Sequence, residues 1–158
     1  MLPWLLGAVA LGVAAAVALA IYARSVADDP AVWHLDPAAA PRATSPNTAL
    51  IGPREGADAP APIWDAEPAA LMAALDRVAL AEARTARIAG GPEALHATYV
   101  QRSRLMGWPD YVSVRALPAE GGATLLLYSR SRFGESDLGV NRARLDRWLA
   151  AVDLPRAE

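Results

Sequence analysis

Hydrophobic and polar positions divide the chain into three stretches of different character. Residues 1–23 carry no charged side chain, and Arg24, Asp28 and Asp29 end the run. Trp4 and Tyr22 bracket it, about 27 Å apart on a helix rising 1.5 Å per residue. That length nearly matches a hydrocarbon core, and aromatic residues favour its two interfaces, so the pattern predicts a transmembrane helix over 1–23. A cleaved signal peptide, with Ala18-Leu19-Ala20 as the small-residue site, is the competing reading; the run lacks a basic leader and is long for one. Ala8, Gly12, Ala16 and Ala20 form a small-residue stripe of the kind that lets membrane helices pack closely, although an Ala-rich run yields such stripes by chance.

Periodicity then stops. Eight of the thirteen prolines lie in residues 28–68. Residues 36–62 show no sustained period of two or 3.6, so 24–63 reads as a Pro/Ala-rich juxtamembrane tether. The run Asp29-Pro-Ala-Val-Trp-His-Leu-Asp-Pro37 is less random than the rest. Trp33 suits the headgroup level, and His34 and Asp36 are available to a partner.

Periodic patterning returns in residues 64–155. Leu71, Leu75 and Val78 line one helical face, flanked by Met72 and Ala79, with Asp76 and Arg77 outward and Asp65 as a fair N-cap. Four strands follow, over 83–89, 97–105, 111–116 and 123–132. Glu120-Gly-Gly122 supplies the hairpin turn between the last two, and short connections make neighbours antiparallel. A final helix spans about 138–152. Leu138, Leu145, Trp148, Leu149 and Val152 share its apolar face with Asn141; Arg144 and Arg147 point away, and Arg142 sits at the margin. The expected fold is α+β: an N-terminal transmembrane helix, a Pro-rich tether, then helix, four-stranded antiparallel sheet and helix.

Composition narrows the chemistry. The 158 residues include 15 basic side chains, all Arg, and a net charge of −2, which gives no field for nucleic acid. There is no Cys, so disulfides, thiolate metal sites and a Cys nucleophile are excluded. His34 and His96 are too few for a histidine-rich metal centre, and no cofactor or metal is expected. Hydrolase, phosphate-loop and zinc-protease motifs are missing.

The densest polar signature is Tyr128-Ser-Arg-Ser-Arg-Phe-Gly-Glu-Ser-Asp-Leu-Gly-Val-Asn141, continued by Arg142-Ala-Arg-Leu-Asp-Arg-Trp148. With Tyr99-Val-Gln-Arg-Ser-Arg-Leu-Met-Gly-Trp-Pro-Asp-Tyr111, it makes residues 83–149 resemble the uncharacterised family catalogued as domain of unknown function 1499. Trp108 stands where that family usually has Phe before Pro-Asp. The Trp-His-Leu-Asp-Pro run looks like its membrane-anchored bacterial members. The resemblance implies a fold and a membrane habit, and it brings no catalytic residues. It places the chain in a bacterial inner membrane as a single-pass protein. A lone N-terminal span most often acts as a signal anchor, which favours a periplasmic domain.

Read physically, alternation puts Arg130 and Arg132 on one face of the last strand and Ser129 and Ser131 on the other. Arg102 and Arg104 share a face of an earlier strand, and Arg115 adds a fifth guanidinium. Together they suit a carboxylate or phosphate. Asp110, Glu135 and Asp137 are alternative, internal partners for these arginines. Ser136 or Asp137 can cap the last helix, Gly139 can permit close packing, and Asn141 on an apolar face suits a buried clamp. The functional expectation is a membrane-anchored, non-enzymatic accessory or assembly protein that binds a membrane-protein partner. The alternative is a module for an anionic small molecule or lipid headgroup, using Arg130, Arg132, Arg102 and Arg115. A hydrolase with an acid pair at Glu135 and Asp137 is a third reading.

Overall fold

The structure, a computed structural model, describes residues 2–43 and 45–157. Met1 and Thr44, which fall in the expected span and tether, lie outside the described residues, as does Glu158. Helix α1 (Leu2–Ser25) carries a stretch, Pro3–Ser25, with mean hydropathy 2.4, exposed over most of its length and packed against the domain only at its end, where Ala23 is buried. It is long and apolar enough to cross a bilayer.

The folded part is an antiparallel sheet with its two longer helices on one face and residues 23–36 across the other. Its elements are α2 (Pro30–Trp33), β1 (Thr48–Ile51), β2 (Ile63–Trp64), α3 (Pro68–Ala81), β3 (Thr85–Gly91), β4 (His96–Arg102), β5 (Pro109–Ala119), β6 (Gly122–Ser131) and α4 (Val140–Ala151). The strand order is β1-β6-β5-β4-β3, and β2 pairs with the start of β6 on the same edge as β1. Among the described residues the sheet therefore has six strands, where the sequence predicts four. β1 and β2 lie inside the expected tether and are too short to show a period. They form because β6 is apolar on both sides and offers a free edge to pair with.

The core follows from alternation. Tyr99, Val112, Val114, Leu125 and Leu127 point toward Leu71, Met72 and Leu75 of α3 and Leu145 and Trp148 of α4. Leu126 and Tyr128 point to the opposite face, where Leu50 and Ala40 cover them. That second layer explains why eight successive residues of β6 are buried.

Two expectations about α3 change. Asp65 is not its cap: Glu67 occupies the N-cap position without a side-chain bond, Pro68 opens the helix, and the Asp65 N–H is taken by the Pro155 carbonyl at 3.0 Å. Asp76 does not face solvent freely, because it accepts from the Tyr99 hydroxyl at 2.9 Å and pairs with Arg87 at 2.8 Å.

Candidate functional site

The signature strand β6 places its alternate side chains in two polar networks, one on each face of the sheet. Ser129 and Ser131 face α4. Asn141 is fully buried there; its amide N–H groups donate to the Asn47 carbonyl and to Ser131 Oγ, both at 2.9 Å, and its Oδ1 accepts from Ser129 at 2.5 Å. Arg144 lies beside it, only 2% exposed. This corrects the outward placement read from the helical wheel. Arg144 turns inward because the sheet beneath α4 is polar: it donates to Asp110 Oδ2 (2.6 Å), Gln101 Oε1 (2.7 Å), Ser129 Oγ (2.9 Å) and Asn141 Oδ1 (2.6 Å). Every terminal nitrogen is satisfied, as a buried guanidinium requires.

The turn before α4 holds this helix in place. Asp137 accepts the N–H groups of Gly139 (3.0 Å) and Asn141 (2.7 Å), and Ser136 Oγ accepts from Leu138 N at 3.3 Å. The role of Gly139 differs from the expected close packing. Nothing lies near the place its Cβ would take, and its φ of +82° is what demands glycine.

The opposite face carries the arginine row. Arg102 makes a two-pronged pair with Asp28 (2.8 and 2.9 Å) and donates to the carbonyls of Ala23 (2.7 Å), Val26 (3.0 Å) and Gly107 (3.1 Å). Arg132 donates to the Ala27 carbonyl at 2.8 Å. Arg130, which is buried, donates to Ser113 Oγ (2.8 Å) and the Trp33 carbonyl (3.1 Å). Arg115 pairs with Asp36. Arg104, expected beside Arg102, falls in the exposed turn beyond the end of β4 and takes no part. The four arginines thus converge on the chain's own residues 23–36. The carboxylates they use are Asp28 and Asp36, not the expected Asp110, Glu135 or Asp137.

Other contacts seal the same segment. Trp33 stacks on Tyr111 with ring centroids 3.9 Å apart, and Arg130 and Arg132 both lie over the Trp33 ring. The Tyr111 hydroxyl donates to Asp28 at 2.7 Å. His34 stacks on His96 at 4.1 Å and bonds Thr98 Oγ1 at 2.9 Å, while His96 Nε2 bonds the Leu35 carbonyl at 3.1 Å. Partial burial and the adjacent His34 ring hold His96 below the usual imidazole range. Burial pushes the Asp36 carboxyl up, but the Ala38 N–H and the Arg115 guanidinium outweigh it and hold Asp36 below the usual carboxylate range.

One group in this network is under-satisfied. Arg130 Nε and Nη1 are buried without an acceptor among the described residues, and desolvation pulls its pKa down. Beyond the network, a cleft of about 390 Å³ opens where the β4–β5 turn meets the loop after β6, lined by Trp108, Phe133, Asp110, Ser131 and Asp137.

The family model described as a protein of unknown function (DUF1499) matches residues 34–152, three quarters of the chain. The chain belongs to this family. The DUF1499 match begins at His34, so β1 and β2, which the sequence reading left in the tether, are part of the family domain. Both polar networks are built largely from residues within it, and the clasped residues 23–33 lie just before it. No curated protein and no solved structure matches the chain.

Proposed function

We propose that this protein is a membrane-anchored, non-enzymatic accessory or assembly factor. Its α+β domain is held against the membrane end of α1 and docks a membrane-protein partner there. The observation that carries this reading is the clasp of Arg102, Arg115, Arg130 and Arg132 on residues 23–36. A domain on a free tether samples many orientations. A domain clasped to the end of its anchor presents one surface along the plane of the bilayer, which favours a lateral partner. Two carboxylates of the signature region are engaged in structure: Asp110 pairs with Arg144, and both oxygens of Asp137 hold the start of α4, which leaves Glu135, exposed in the turn, without the acid partner that the hydrolase reading gives it. In this reading α1 spans a bacterial inner membrane and the domain lies on its periplasmic side.

The test is purification of the full-length chain from its own membranes in mild detergent, with identification of everything that accompanies it. A stoichiometric membrane protein, lost in Arg130→Glu/Arg132→Glu, is the expected result. A clean monomer carrying only lipid overturns the proposal.

One observation favours a second reading, a site for a small anion or lipid headgroup. It is the pair of buried, unpartnered N–H groups on Arg130. Arg102 and Arg115 are already neutralised by Asp28 and Asp36, which leaves Arg130 as the strongest candidate for such a ligand. Native mass spectrometry decides it: a small anion retained by wild type and lost in Arg130→Gln supports the site, and an empty wild-type protein excludes it.

A further inference from the structure

We infer that the β4–β5 turn, residues 103–108, is a second membrane contact, with Leu105 seated in the headgroup layer beside the end of α1. This rests on the reading of α1 as a membrane span. Leu105 is a large apolar side chain left 80% exposed at the tip of that turn. Its position relative to α1 is fixed by direct contacts. Arg24 Nη2 donates to the Leu105 carbonyl at 2.5 Å. A methyl group added at Gly107 would lie 2.5 Å from Arg24 Cγ, so the turn backbone and the end of α1 touch. The Tyr22 ring lies 6.0 Å from Phe133, and Phe133 lies 5.0 Å from Trp108. The turn, the loop after β6 and the last turn of α1 form one packed cluster.

The bilayer then sets the level of that cluster. With Trp4 at one boundary, a span of about 27 Å puts Tyr22 at the other, and Arg24 lies about 3 Å further along the axis. Tyr22, Trp108 and Phe133 thus gather at the depth where aromatic side chains concentrate, and Arg24 and Arg104 stand at phosphate level. Leu105, bonded through its carbonyl to Arg24, is held at the same level. The partner this surface fits is a phospholipid bilayer.

The chain has no Cys, so single-cysteine variants label at one place. Val13→Cys, Leu105→Cys and Glu120→Cys would be made in the full-length chain, labelled with an environment-sensitive fluorophore and reconstituted in phosphatidylethanolamine/phosphatidylglycerol vesicles. Glu120 lies at the far end of β5, an 11-residue strand about 35 Å long, and serves as the aqueous reference. The readouts are emission maximum, quenching by aqueous iodide and quenching by lipids spin-labelled near the headgroup or at the acyl terminus. The expected pattern is a Val13 label quenched from the acyl terminus, a blue-shifted Leu105 label quenched from the headgroup side, and a Glu120 label open to iodide. A Leu105 label as open to iodide as the Glu120 label, with Val13 in lipid, overturns the inference and leaves the span intact. A Val13 label open to iodide overturns the span and the inference together.

Discussion

Removing Arg102 should release residues 23–36 from the sheet without unfolding the domain. In Arg102→Met the apolar stem remains, but the two-pronged pair with Asp28 and the bonds to the Ala23 and Val26 carbonyls are lost. A bond to a neutral carbonyl contributes about 1 kcal/mol and one to a charged group about 1.5–3 kcal/mol. The paired side chains are 21% and 24% exposed, so solvent weakens the ionic part. A total of about 3 kcal/mol is reasonable, a factor of about 150 in the equilibrium for local opening. Detachment is local because Arg115 still holds Asp36 and Tyr111 still holds Asp28. Hydrogen exchange on the full-length protein in detergent reads the result. The probes are the amides of Trp33 and His34, which donate to the Asp29 and Pro30 carbonyls in α2. Their exchange should accelerate about a hundredfold, while the amides of α3 keep their protection. Should α3 lose protection equally, the milder Arg102→Lys, which keeps the charge but not the fork, should open the segment about tenfold with α3 intact. Acceleration of less than about fivefold at Trp33 and His34 in Arg102→Met would refute the clasp.

Three further outcomes follow from the same geometry. Arg144→Met leaves the half-buried Asp110 without its cation and should cost about 3 kcal/mol, lowering the Tm by several degrees, whereas Arg144→Met/Asp110→Leu should recover part of the loss; near-UV circular dichroism during heating checks both. Gly122→Ala should destabilise by more than about 2 kcal/mol, because φ is +145° and the new methyl collides with the Trp64 carbonyl where β2 joins β6; denaturant titration measures it. His96 gives a pH dependence: burial first, then His34, lowers its pKa, opposed by the Leu35 carbonyl and Asp36, with Arg115 adding to the lowering. The unfolded chain therefore binds this proton more readily, so stability is full above about pH 6.5 and falls as pH drops through the range below it. Melting curves between pH 7.5 and 5 should show that decline, and His96→Gln should flatten it.

The parts legible in the sequence were those that generate a repeating pattern over ten residues or more. Helix α4, strand β6 and the core face of α3 announce themselves by period, except that Leu138, expected on the apolar face of α4, lies before the helix begins and is 94% exposed; alternation alone separates Arg130 and Arg132 from Ser129 and Ser131. The missing parts were short and non-local. β1 and β2 have four and two residues, and α2 has four, too few for any period to show. The two strands are ordered by a sheet edge contributed from residues 123–130, far along the chain, and α2 by Tyr111 and Arg130 on the sheet face. The partners of the arginines were hidden for the same reason. Asp28 and Asp36 are 74 and 79 residues from Arg102 and Arg115, and only strand register and the return of the chain across the sheet bring them together. Arg144 was different, because a signal existed. Ser129 and Ser131, on the face away from Arg130, already implied a polar patch beneath α4, and a buried guanidinium is one way to satisfy it.

The two networks have one strand in common, and this gives the signature run a mechanical meaning. Ser129 and Ser131 hold α4 through Asn141 and Arg144, while the alternating Arg130 and Arg132 hold residues 27 and 33 of the juxtamembrane segment. A strand that is hydrogen-bonded on both faces transmits a shift on one face to the other, because its side chains have no slack to absorb it. Loosening the α4 side by Asp137→Ala, which removes two backbone bonds at the start of the helix, should therefore also raise hydrogen exchange at Trp33 and His34, although Asp137 touches neither. An independent scaffold with two unrelated surfaces predicts no such effect. Exchange at Trp33 that stays unchanged in Asp137→Ala, while the first turn of α4 frays, would show that β6 holds residues 27–33 and the helix separately.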